Sequence, residues 1–505
     1  MRPRTKGELR TRSGCRKCRE RRVKCPEQRP ICGHCRRLGF TCRYETRLNW
    51  QDAILPECDD TLSRRLPEDL LISIQSWMFL NTSQADFNPD SPQIAPEISQ
   101  SYSLPEDLEY PYPQYLSPFR LGEAENYLWS YFTESMTTRI VIDPNFNPYR
   151  DIILKMAACS QEGPLFQCIL AVAANQLQSI GRSEYNQVTW LHRAKALRLL
   201  RSQITQLASG ETRNVGYETS KDQVIASTIM LTFFEISKDC SDSWTVHADF
   251  ARTFLSSRLE DLGHLSAEQE ALLYFAVTYF VSHDILAATG GTVTETSEMV
   301  AEMCNKVDKS TILALTGCSR DLLILISEIN QMGCSLIGQS HQDQLPPAIQ
   351  QRRDDVEKLL HQLRQEVPEE FKSSKSEFAV IAEVKRLAAL LYLYSRIDGA
   401  SPHDPHMVSI TQQILALVPE ISLRTHTGLW PLFIVATLGI RPECDEERKL
   451  ILGRLVALQQ TRQLASVKKA RLIIEDVWKS RDLRPRESRG WNILQGRRHG
   501  AISLA

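Results

Sequence analysis

The chain has 505 residues, with 60 Lys+Arg against 61 Asp+Glu, a net charge of −1, and 42% hydrophobic residues. That balance hides a segregation: residues 1–47 carry 16 Lys+Arg and 4 Asp+Glu, which leaves −13 on residues 48–505. The first 14 residues are basic and lack an apolar run, which excludes a secretory signal there; the longest apolar stretch, Leu429–Ile440, contains Pro431 and is too short to span a bilayer.

In chain order the first element is a cysteine array: Cys15, Cys18, Cys25, Cys32, Cys35 and Cys42, spaced C-x2-C-x6-C-x6-C-x2-C-x6-C. It reads as two copies of C-x2-C-x6-C joined by six residues. Such spacing suits zinc, which takes four ligands in a tetrahedron. Six thiolates complete two tetrahedra only if two sulfurs bridge both metals. Cys15 and Cys32, the first cysteine of each copy, are the symmetric candidates. A disulfide knot is the competing reading, but the other eight cysteines are scattered without a pairing pattern, which fits a reducing compartment. Between Cys18 and Cys25 lie Arg19, Glu20, Arg21, Arg22, Val23 and Lys24. A basic arm on an acidic body is the electrostatic footprint of nucleic-acid binding. Six thiolates with two Zn(II) would leave that arm at about +10.

Residues 12–44, RSGCRKCRERRVKCPEQRPICGHCRRLGFTCRY, resemble the fungal zinc binuclear cluster (Zn2Cys6) DNA-binding domain. The resemblance rests on the six cysteines, the basic run from Cys18 to Cys25, Pro30 two residues before Cys32, and Gly39, where a short helix would end with φ > 0. It implies two zinc ions per chain, one held by Cys15, Cys18, Cys25 and Cys32, the other by Cys15, Cys32, Cys35 and Cys42. All coordination positions are then sulfur, so the zinc is structural, and metal binding and folding are one event in so small a module. The resemblance also implies that the first helix enters the major groove of double-stranded DNA. Arg21 and Arg22 would read a CGG-type triplet, Arg22 standing where many members carry Lys. A bidentate Arg on guanine O6 and N7 gives about 1–3 kcal/mol of discrimination. Arg19, Lys24, Arg36 and Arg37 would touch phosphates or solvate the surface.

Residues 66–119 contain no Lys or Arg, eight Asp+Glu, many Pro, and aromatics such as Trp77 and Tyr110. The composition reads as a disordered linker, with an acidic-aromatic activation segment as the competing reading. No sustained a/d heptads occur between residues 43 and 125, so a homodimer, if formed, lacks an evident coiled coil. The expected division is 1–47 DNA-binding module, 48–121 linker and 122–505 regulatory body.

The body reads as mostly α, one helix after another, at 161–181, 185–207, 268–288, 320–338, 352–366, 378–396, 445–460 and 466–479. Pro164 and Gly181 mark the ends of the first of these. Tyr185, Val188, Leu191, Leu197, Leu200, Ile204 and Leu207 form the expected buried face of the second. The body resembles the fungal-specific transcription factor domain on five segments in order: NPYRDIILKMA (147–157), Trp244 and His247 with Phe250 and Ala251, YFVSHDILAATG (279–290), LWPLFI (429–434) and EDVWKSRD (475–482), with Trp491 after them. Asp249 stands where that family has Gly.

No hydrolase, nucleotide-binding or metalloprotease signature is present. His283–Asp284 is the tempting acid/base pair, but adjacent helical residues point about 100° apart. They read as packed helix positions, and His247 as a satisfied core histidine. The expected function is a nuclear, sequence-specific DNA-binding regulator of RNA polymerase II genes, partnered by DNA and by transcription machinery or co-regulators, with no membrane partner and no enzymatic activity. The competing readings are a zinc-cluster scaffold that binds protein and an enzyme with an N-terminal zinc module.

Overall fold

A computed structural model describes residues 15, 17, 18, 21, 23, 25, 26, 28, 31–42, 122–209, 216–259, 265–290, 310–336, 345–483 and 502–505. The expected linker 48–121, Arg19, Arg22, Lys24 and Trp491 lie outside the described residues. The chain divides into two compact units, Met1–Pro113 and Gln114–Ala505.

In the first unit, α1 (Gly33–Arg37) is a short helix whose limits follow from its sequence. Cys32 is its N-cap, with extended φ/ψ, and its sulfur accepts the Cys35 amide N–H at 3.4 Å. Gly39 ends it in the left-handed region at φ 66°, and the Phe40 amide donates to the Cys35 carbonyl at 3.0 Å, the Schellman closure.

The second unit is helical, as the periodicity predicts. It begins with α2 (Glu123–Ser130), which continues through a π-helical stretch, Tyr131–Met136, into α3 (Thr137–Ile140). A second π stretch, Tyr149–Leu154, leads into α4 (Lys155–Ala158). Then come α5 (Pro164–Ser179), α6 (Tyr185–Ser209), α7 (Gly216–Lys238), α8 (Ser243–Leu259) and α9 (Ala267–Ala287). α5 packs between α6 and α7, and α7 also meets α8 and α9. Pro164 occupies the first turn of α5 and Gly181 follows its end at φ 100°, as expected. Ser266 and Gln269 form a capping box that starts α9.

The second half contains α10 (Arg320–Ser335), α11 (Pro347–Gln362), α12 (Lys375–Arg396), α13 (Pro405–Leu417), α14 (Leu429–Ile434), α15 (Asp445–Arg462) and α16 (Ala465–Leu483). A short antiparallel ribbon, β1 (Ile312–Leu313) with β2 (Cys318–Ser319), precedes α10. No helix among the described residues is long and apolar enough to cross a membrane.

Two local expectations differ. Leu191 is exposed, and the buried stripe of α6 runs through Thr189, His192, Ala196 and Leu200 instead. At 100° per residue this is the face turned to α5, where His192 Nδ1 meets Gln167 Oε1 at 2.8 Å. The helix expected at 352–366 runs Pro347–Gln362. Pro347 starts it a turn early. It stops early because the Glu366 backbone is taken by Ser310 and Ile312, at 3.0 and 2.9 Å.

Candidate metal centre and nucleic-acid interface

The cysteines of the first unit form one buried cluster: Cys15, Cys18, Cys25, Cys32 and Cys35 are each at most 6% exposed, and Cys42 packs against them. No described cysteine is in a disulfide. The sulfurs of Cys15, Cys18, Cys32 and Cys35 all lie within 4.8 Å of one another. Cys15 Sγ is 3.7 Å from Cys32 Sγ and 3.6 Å from Cys35 Sγ, and Cys18 Sγ is 3.7 Å from Cys32 Sγ. Cys15 and Cys32 therefore sit at the centre, each in contact with the opposite copy.

The remaining two sulfurs repeat one another. The Cys15 amide donates to Cys25 Sγ at 3.4 Å, and the Cys32 amide donates to Cys42 Sγ at 3.3 Å. The sequence repeat is thus a structural repeat, with a C-terminal sulfur folded back on the amide of the first cysteine in each copy.

Burial pushes the Cys18 thiol up and takes Cys35 up to about 12. Burial also acts on Cys32, but the Cys35 amide and thiol contacts from Cys35, Cys15 and Cys18 outweigh it and hold Cys32 at about 6. Four crowded sulfurs cannot all ionise without a cation among them. An all-thiolate, buried, mutually contacting donor set fits zinc, which binds sulfur at about 2.3 Å and takes deprotonated ligands.

Of the expected DNA contacts, Arg21 is described. Its amide closes a helical turn on the Lys17 carbonyl at 3.1 Å, and its guanidinium lies over the Phe40 ring, 5.2 Å from the centroid. This clasp joins the two copies and was not legible from spacing. Arg36 and Arg37 are exposed on α1.

In the second unit the five segments singled out from sequence are packing residues. Asn147 Nδ2 donates to the Thr137 carbonyl at 2.9 Å, and the Tyr149 ring meets Phe275 edge-on at 5.2 Å. Asp249, where Gly was expected, faces outward and pairs with Arg252 at 2.9 Å. His283 and Asp284 diverge as their helical spacing requires. His283 Nδ1 lies 2.8 Å from the Tyr279 carbonyl, and Asp284 pairs with Arg252 at 3.0 Å. His247 is partly buried, and burial lowers its pKa. α14 runs on into a π stretch, Val435–Gly439, whose final carbonyls lie in the core. Trp478 Nε1 donates to the Ala436 carbonyl at 2.8 Å, and Arg481 donates to the carbonyls of Thr437 and Ile440. A buried helix end needs such donors, and a cation suits its negative pole.

Residues 13–51 match the fungal Zn(2)-Cys(6) binuclear cluster domain, and residues 126–503 match the fungal specific transcription factor domain. A transcriptional regulatory protein of Schizosaccharomyces pombe, itself uncharacterized, is 24% identical over 520 residues, covering 93% of this chain and 92% of that protein. The transcriptional activator protein UGA3 of Saccharomyces cerevisiae is 23% identical over 301 residues, 55% of this chain and 53% of its own length. The Zn(2)-C6 fungal-type transcription factor afumD of Aspergillus fumigatus is 54% identical over 35 residues, 7% of this chain and 9% of its own. No solved structure matches the chain. The chain belongs to the fungal specific transcription factor family, with a zinc-binding cysteine cluster at its head, and it is a DNA-binding transcription regulator.

Proposed function

We propose that the cluster holds two zinc ions through all six cysteines, with Cys15 and Cys32 bridging, and that it reads a CGG-type site in the major groove to regulate RNA polymerase II genes in the nucleus. The observation that carries this reading is the repeated amide-to-sulfur bond, Cys15 to Cys25 and Cys32 to Cys42, around the central Cys15–Cys32 contact. Each copy offers one terminal pair and shares the two central sulfurs, which completes two tetrahedra. Bound zinc supplies charge neutralisation and a cross-link, and no position is left for substrate.

Arg22 would read guanine, with Arg21 braced by Phe40 beside it, and Arg19 and Lys24 would hold phosphates. The body would recruit transcription machinery or co-regulators, with no catalysis of its own. Metal analysis of the purified chain tests the first half: two zinc per chain are expected, and one would refute bridging. Duplex binding tests the second. Arg22→Ala should cost about 1–3 kcal/mol on a CGG site and relax base preference there, whereas Arg36→Ala should weaken all sequences alike. Equal losses on specific and random duplex in Arg22→Ala would reassign Arg22 to phosphate contact.

A further inference from the structure

Inside the second unit lies a cavity of about 30 Å³. It lies where α7, α9 and α12 meet the β1–β2 turn. That is room for one or two waters, or for a compact ligand of a few heavy atoms. Apolar side chains such as Phe233 and Leu286 line it together with serines, threonines, tyrosines, two histidines and one lysine, and none of its lining residues is Asp or Glu.

Lys385, on α12, lines it and is 1% exposed. Its Nζ donates to the Thr316 carbonyl at 2.6 Å, presented by the turn that Gly317 makes at φ 68°. An ammonium has three N–H donors, and this is the hydrogen bond the described residues give it. It has no ion pair among the described residues, and Ala505, which also lines the cavity, is no exception. Tyr279 also lines the cavity; it is 2% exposed and its hydroxyl has no hydrogen-bond partner among the described residues. Burial keeps that phenol protonated, so it stands ready as a donor. His283 also lines the wall; its Nδ1 must donate to the Tyr279 carbonyl, since a carbonyl only accepts.

A buried cation without a counter-ion and a buried hydroxyl without a partner each cost free energy, and both losses end when one anionic acceptor enters. We propose that this cavity is a binding site for a small carboxylate, whose oxygens take the spare Lys385 N–H groups and the Tyr279 hydroxyl while its short chain lies on the apolar wall around Phe233 and Leu286. Lys385 and Tyr279 both line the cavity, and its volume limits the ligand to a compact acid. Only a regulatory consequence of binding would rest on the DNA-binding reading; the site itself does not.

Thermal unfolding of the full, zinc-loaded chain tests this without DNA. The probes are sodium acetate and sodium propionate, against sodium chloride at equal ionic strength and neutral acetamide. The carboxylates should raise Tm saturably, by about 5 °C at high excess, and the controls should not. Lys385→Met, which removes the charge and keeps the length, should fold and lose the carboxylate response. Tyr279→Phe should keep its unliganded Tm and bind acetate roughly tenfold more weakly. Equal shifts from chloride and acetate, no shift from either carboxylate, or a full response in either variant would overturn the proposal. If Lys385→Met fails to fold, Tyr279→Phe decides it.

Discussion

His283 and Asp284 are neighbours on α9 whose titrations run in opposite senses. Burial holds the His283 imidazole at about 4, against an ordinary 6.5, although the Tyr279 carbonyl pulls the other way. Burial pushes the Asp284 carboxyl to about 6, against an ordinary 3.8, despite Arg252. A depressed folded pKa contributes stability that is full above the unfolded value, so the His283 contribution is lost as pH falls from 6.5 to about 4. A raised carboxyl pKa contributes stability that is full below the unfolded value, so the Asp284 contribution is lost as pH rises from 3.8 through about 6. At about 1.4 kcal/mol per tenfold change in proton affinity, each amounts to about 3 kcal/mol. In the native chain the two slopes nearly offset. Each single variant should expose the other. Relative to the native chain, His283→Gln should lose about 3 kcal/mol between pH 4 and 6.5, and Asp284→Asn should gain about 3 kcal/mol over the same window. A constant offset from repacking does not affect either slope. Urea unfolding followed by far-UV ellipticity at several pH values measures both. Variant curves parallel to the native one would refute opposed burial of the pair.

Gly317→Ala should destabilise the second unit by about 2–5 kcal/mol. The left-handed φ costs about 1–2 kcal/mol, and a Cβ would meet Ile381 Cγ2 at 2.8 Å and Ile142 Cδ1 at 3.1 Å, which adds about 1–3 kcal/mol of crowding. A loss under 1 kcal/mol in urea unfolding would contradict this. Arg481→Met should cost about 2–4 kcal/mol by leaving the Thr437 carbonyl buried without a donor, and an unchanged urea midpoint would show that water replaces it. Zinc removal by a chelator should abolish duplex binding and leave most of the helical ellipticity in place, because the cluster and the helical core are separate units; loss of most ellipticity would refute that independence.

The sequence by itself determined the cysteine cluster and the helical class. Spacing alone places Cys15 and Cys32 as equivalent members of a repeat, because ligand geometry is a local property of a short chain. Pro164, Gly181 and Gly39 mark helix ends for the same local reason: one residue's φ limits or frees the backbone. The segment Leu429–Ile434 was visible as apolar, and its burial follows from that. What the tertiary structure alone decided is which polar groups meet inside. Leu191 faces out while Thr189 and His192 face in, since the packing face of α6 is set by where α5 lies and not by side-chain polarity alone. Trp478 and Arg481 are helix-end donors only because α16 is packed beside the end of α14. Lys385 stands in sequence beside Arg386 and two residues after Glu383, in a charged group of a kind that most often turns to water. It is buried because the β1–β2 turn closes over it, and that turn lies 69 residues earlier in the chain. Contacts at that separation depend on the whole path of the backbone, which no local pattern encodes.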